Sequence, residues 1–161
     1  VIKKISHKIL LKINSNLILS ILLVDHTDDT EYFIYKYNLS NEAKKLILFI
    51  KKSYKNYSLN YILDKKNLLK FCYLNSKDFV ISFLIFQIFN YPEKIRKLES
   101  LIHYIDSVQI PKFPISAYYI KNQFNFPEGK KLGEALKKLE NIWIENNFKI
   151  EKNKIELIIN N

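Results

Sequence analysis

The sequence predicts an all-α protein, a multi-helix body followed by a small helical tail. Three observations carry this. The chain has only two glycines and four prolines in 161 residues, far less turn chemistry than a β-sandwich, a barrel or a doubly wound α/β sheet needs. Its apolar residues recur at three- and four-residue spacing, the helical period. They also make up 48% of the chain, enough for a real core and too many for intrinsic disorder.

Two short apolar segments come first, Ile9 to Val24 and Tyr32 to Tyr37, on either side of the polar run Asp25-His26-Thr27-Asp28-Asp29. From Ser40 to Tyr54, Ala43, Leu46, Ile47, Ile50 and Tyr54 form one apolar stripe, with Ser40 placed to cap it. Lys44, Lys51 and Lys55 line up on another face. Ser58 to Phe71 is expected as a further helix carrying Leu59, Ile62, Leu63 and Leu69. Ser76 to Asn90 is apolar nearly all round, which marks a central buried helix. Beyond Pro92, Ile95, Leu98, Ile102 and Ile105 give the next stripe. Pro111 and Pro114 in Ile110-Pro111-Lys112-Phe113-Pro114 stop any helix, so the body is expected over residues 1–110 and the tail over 111–161. The tail begins with a short helix near Ser116 to Gln123. A turn at Asn125 to Gly129 leads into an amphipathic helix to about Asn146, with Leu132, Ala135, Leu136, Leu139 and Trp143 on its apolar face.

Lys and Arg number 26 against 16 Asp and Glu, a net charge of +10. That balance favours an anionic partner, nucleic acid or a membrane surface, although a lysine-rich coding bias gives the same count. Cys72, the single cysteine, rules out an internal disulfide and a cysteine metal cluster, and implies a reducing compartment; a cytoplasmic location is expected. Lys3 and Lys4 are not followed by a signal-peptide pattern. The longest apolar run, Phe79 to Phe89, falls short of the roughly 20 residues that span a bilayer. The sequence has no methionine and begins at Val1; removal of an initiator explains this as naturally as a fragment does, and we expect the protein to extend N-terminally.

No catalytic or metal-binding constellation emerges. His7, His26 and His103 are far apart and in no metal-ligand spacing. Two glycines cannot build a phosphate loop. Asp25, Asp28 and Asp29 offer oxygen ligands, yet a run of this kind more often starts a helix. Ser40 and Ser116 have neither a glycine elbow nor a nearby histidine in sequence.

One segment stands apart. It runs Phe113-Pro114-Ile115-Ser116-Ala117, then Phe126-Pro127-Glu128-Gly129-Lys130-Lys131-Leu132-Gly133-Glu134-Ala135-Leu136, then Leu139-Glu140 and Trp143-Ile144, and it holds both glycines of the chain. Gly129 lets the backbone turn into the helix, and Gly133 lets something approach its first turn closely. The helix N-terminus supplies free N–H groups and the positive dipole end. Lys130 and Lys131 add charge there, and Lys137 falls under Lys130 two turns on. Gly129, Lys130, Lys131, Gly133 and Lys137 are therefore candidate RNA-phosphate contacts. The competing reading is a plain helix start, with Gly133 packed against a neighbouring helix.

This segment resembles the C-terminal part of the bacterial class II CCA-adding tRNA nucleotidyltransferase and poly(A) polymerase family. There a Phe-Pro-x-x-Gly element precedes a short helix, and Pro-x-Gly-x-x-x-Gly leads into a helix with Leu-x-x-Leu-Glu and an aromatic pair such as Trp-Ile. Phe113, Pro114, Pro127, Gly129, Gly133, Leu136, Leu139, Glu140, Trp143 and Ile144 match. Leu39-Ser40-Asn41 is similar to the start of a body helix in the alphaproteobacterial branch. Ala117 stands where the family usually has glycine, Tyr119 where aspartate is usual, and Lys130 where proline is common, with one extra residue between Tyr119 and Gly129.

The resemblance implies a helical body and tail that hold the tRNA acceptor and T-arm region by shape and phosphate contacts, as RNA duplexes are generally held. It also implies a catalytic head, with a Gly-Gly-x-x-Arg-Asp type motif and paired aspartates for Mg and ATP or CTP, outside this sequence. No catalytic residue, metal ligand or cofactor is expected within it. The expected partner is tRNA, with no DNA and no membrane. CCA addition and poly(A) synthesis are not separated by these residues. A helical interaction module without an RNA role, and a peripheral membrane protein with basic amphipathic helices, are the other readings.

Overall fold

The computed structural model describes residues 4–25 and 29–159. Eleven α-helices and no strand occur among these residues, so the fold is all-α. The chain divides into two compact units, with the division between Gln109 and Ile110.

The first unit contains α1 (His7–Leu10), α2 (Ser15–Leu23), α3 (Thr30–Lys36), α4 (Asn41–Asn56), α5 (Leu59–Leu63), α6 (Lys65–Leu74), α7 (Lys77–Asn90) and α8 (Ile95–Ser107). Helix α7 is its centre and packs against α2, α4, α6 and α8. Val80, Phe83, Leu84, Ile85, Phe86 and Ile88 are buried with no exposed surface, which is why this stretch lacks a polar face. The Phe83 and Phe86 rings lie 6.2 Å apart, and Phe71 of α6 meets Phe83 edge-on at 5.8 Å. Such ring pairs add about 0.5–1.5 kcal/mol each beyond the area they bury.

Local chemistry sets the helix starts. The Ser40 hydroxyl accepts from the Ala43 N–H at 3.2 Å, Ser58 caps α5 through Tyr61 N–H at 3.2 Å, and Ser76 caps α7 through Phe79 N–H at 3.3 Å. The single helix expected from Ser58 to Phe71 is instead two. The Asp64 carboxylate accepts from Asn67 N–H at 2.9 Å, and Asp64 itself is extended, with φ −83° and ψ 125°. The cap that starts α6 thereby ends α5. Leu68, not Leu69, is the fully buried residue that follows. Likewise the apolar run from Ile9 to Val24 splits into α1 and α2, the second capped by Asn14 through Leu17 N–H at 2.9 Å. On α8, Ile95, Leu98, Ile102 and Ile105 are all buried, as their spacing predicts.

The second unit contains α9 (Ala117–Phe124), α10 (Lys130–Glu145) and α11 (Lys152–Ile159). Its core holds Ile115, Ile120, Leu132, Leu139, Ile155 and Ile159, with Phe113, Phe124 and Phe126 packed against it. Trp143 receives the edge of Phe113 at 5.5 Å and of Phe148 at 4.8 Å. Helix α11 is not among the elements expected from the sequence, although Ile155, Ile158 and Ile159 recur at helical spacing.

Candidate nucleic-acid interface

Asn125 ends α9 in the left-handed region, at φ +48°. Phe126 then anchors the connection to the core of its unit, and Gly129 opens α10 at φ +122° and ψ −160°. That conformation is essentially restricted to glycine. The Gly129 carbonyl accepts from Leu132 N–H at 3.1 Å and from Gly133 N–H at 3.3 Å. No side chain caps the helix, unlike α4, α6, α7 and α9, each of which starts on a Ser or Asp side chain.

Helix α10 buries Leu132, Ala135, Leu139 and Trp143, and half-buries Leu136. The opposite face carries Lys130, Gly133 and Lys137, all exposed. Lys131 is exposed as well, turned about 100° round the helix from Lys130. A Cβ built on Gly133 meets no atom within 4 Å. The packing-glycine reading is thus excluded for the described residues: Gly133 is a bare stretch of helix backbone facing solvent between two lysines.

Acids temper this face: Glu128 just precedes the helix, Glu134 follows Lys130 by four residues, and Glu140 follows Gly133 by seven. Glu134 approaches Lys130, Oε1 to Nζ 3.9 Å, at a four-residue spacing that is itself visible in the sequence. Glu128 is bonded to Lys121, and that ammonium holds its carboxyl below the usual carboxylate range.

The first unit adds two features that sequence reasoning misses. Of the lysines whose spacing aligns them on α4, Lys44 and Lys51 are half-buried, and Lys51 reaches Glu31 at 3.6 Å. The exposed row is Lys45, Lys52 and Lys55. Seven-plus-three spacing is a helical signal, and the half-buried neighbours obscure it. On α3 and its C-cap, Tyr32, Tyr35 and Tyr37 are 64%, 86% and 56% exposed. The Lys36 ammonium lies 5.6 Å from the Tyr32 ring centre and 5.7 Å from that of Tyr37, within cation–π range.

Of the other polar residues singled out in the sequence, the two serines have structural roles. Ser40 and Ser116 are helix caps, Ser116 through Tyr119 N–H at 3.1 Å. His7 and His103 are exposed on α1 and α8; His26, Thr27 and Asp28 lie outside the described residues. Among the described residues no group of three His, Cys, Asp or Glu is placed to hold a metal ion, and no helix is long and apolar enough to cross a membrane. No family model, curated protein or solved structure matches this chain.

Proposed function

We propose that this chain binds RNA, and specifically tRNA, as the body and tail of a CCA-adding tRNA nucleotidyltransferase or poly(A) polymerase. In this reading nucleotidyl transfer, with its Mg and its ATP or CTP, belongs to a head outside these residues. The observation that carries it is the open Gly133 between Lys130 and Lys137. Glycine inside a helix costs about 0.5–1 kcal/mol relative to alanine, and here no packing contact accounts for it. A sugar-phosphate backbone laid on this face gains contact with the helix surface that a Cβ would block, and the two lysines flank its path. The excess of positive charge over the whole chain, +10, supports the same reading, as does the sequence pattern around Gly129 and Gly133.

The test is tRNA binding by the purified chain at several salt concentrations, beside single-stranded DNA of equal length. Affinity for tRNA should fall steeply with salt and exceed that for DNA at every point. Equal affinity for both, or an affinity indifferent to salt, rules the reading out. The same preparation should incorporate no labelled CTP or ATP into tRNA.

A further inference from the structure

The first unit contains a cavity of about 300 Å³ that is remote in sequence from α10. Its walls are aromatic: Phe49 on α4, Tyr57 at the end of α4, and Phe71 on α6. Phe49 and Phe71 are stacked, with centroids 5.7 Å apart and planes 15° apart. Tyr57 lies 4.8 Å from Phe71 and stacks on Tyr61 at 5.2 Å. Phe71 is only 2% exposed, so the core fixes this wall. Leu74, 59% exposed, stands at the rim.

Polar groups complete the lining. Ser53 lies behind the lining and is only 2% exposed. Asn75 is held by its Nδ2, which donates to the Phe71 carbonyl at 3.0 Å, leaving its amide oxygen to accept. Lys52 belongs both to this lining and to the exposed row Lys45, Lys52, Lys55. Among the described residues none of these three lysines makes an ion pair.

We propose that this cavity receives one unpaired base of a single-stranded RNA segment whose phosphates follow the lysine row of α4. The volume is at the small end of ligand cavities, which begin at roughly 300 Å³, and suits one planar ring system. The half-buried Phe49 and Tyr57 rings can meet any base through its π-face over a floor set by the buried Phe71, while Asn75 can meet its polar edge. Lys45 and Lys52 are two helical turns apart, about 10 Å, and unpaired cations in such a row match a polyanion threaded past the opening. A purely apolar occupant would leave the half-buried Asn75 amide oxygen without a partner. The proposal rests on the RNA-binding reading but not on the α10 face.

The experiment uses the full chain and fluorescence anisotropy. The probes are a labelled ten-nucleotide oligoadenylate and a ribose-phosphate strand of the same length and charge without bases. Oligoadenylate should bind at least fivefold more tightly. Tyr57→Leu should bring that ratio close to one while leaving affinity for the baseless strand unchanged, and Lys52→Ala should weaken both. If Tyr57→Leu does not fold, Leu74→Trp at the exposed rim closes the mouth and should collapse the ratio on folded protein. Equal affinity of the wild-type chain for the two probes overturns the proposal, as does a ratio that survives the closing substitution, or no binding of oligoadenylate at all. Binding of tRNA by the same preparation reads the proposed function separately.

Discussion

Lys130 and Glu134 face each other across one turn of α10, with the ammonium 3.9 Å from the carboxylate and the Lys130 side chain 92% exposed. At that exposure the pair contributes little to stability, about 0.5 kcal/mol or less, and lysine preceding glutamate is the weaker order. Its effect on RNA binding is larger, because the carboxylate competes with phosphate for the same ammonium. Glu134→Gln is therefore expected to tighten tRNA binding with no loss of thermal stability. Lys130→Ala with Lys137→Ala should weaken it and lower the slope of log K against log salt by roughly 0.7–0.9 for each phosphate that is no longer neutralised. A salt titration of the variants checks both signs.

Gly133 separates the functional account of α10 from the packing account. Because nothing lies within 4 Å of a Cβ at that position, Gly133→Ala should stabilise the chain by about 0.4–1 kcal/mol through the unfolded state. Gly133→Leu should also leave the melting temperature close to wild type. Both should reduce RNA affinity, leucine more than alanine, since bulk on that face keeps a backbone away without changing charge. Unaltered affinity in Gly133→Leu would remove this residue from the interface.

Gly129 is expected to behave in the opposite way. Its φ of +122° is strained for any residue with a Cβ, although the space around it is open. Gly129→Ala should cost about 1–3 kcal/mol, which lowers the melting temperature by several degrees for a chain of this size. Differential scanning calorimetry of the two glycine variants side by side makes the contrast direct: alanine raises the transition at 133 and lowers it at 129.

The fold class, the central helix α7 and the stripes of α4, α8 and α10 were legible because each depends on the spacing of large apolar residues within one element. The break at Asp64 was not, because Asp, Lys, Lys and Asn are compatible with a helix interior as well as with a cap. Only the side-chain bond to Asn67 decides between them. Helix α11 was hidden for a related reason. Lys152 to Ile159 is short, and Ile155, Ile158 and Ile159 give barely one helical turn of period, too little to mark a helix before Ile155 and Ile159 find the core of the second unit. At the candidate interface, sequence placed Lys130, Gly133 and Lys137 on one face but could not say whether Gly133 was covered, since that depends on neighbours distant along the chain. The aromatic cavity was likewise illegible. Phe49, Tyr57 and Phe71 come from three places in the sequence, and each reads as ordinary core until the three converge.

Cys72 gives the last prediction. The thiol is 2% exposed, and burial pushes its pKa up to about 11, with Lys77 pulling slightly the other way. The thiol is therefore protonated at neutral pH, and a protonated thiol is a poor nucleophile. Native protein at pH 8 should resist iodoacetamide, whereas protein unfolded in guanidinium should react at the rate of a free cysteine. The same shift fixes a pH dependence. The folded pKa lies above the unfolded value near 9, so folding favours the protonated form. Its contribution is complete below pH 9 and is lost as pH rises through 11, amounting to roughly 2–3 kcal/mol for a shift of this size. Burial raises Tyr54 and Tyr61 as well, so the alkaline loss is shared with two phenols. Cys72→Ala isolates the thiol: the variant should be less stable at pH 7, from the small cavity it leaves, yet lose less stability than wild type between pH 9 and pH 11. Parallel pH profiles for the two proteins, or rapid alkylation of the native chain at pH 8, would contradict a buried, protonated thiol.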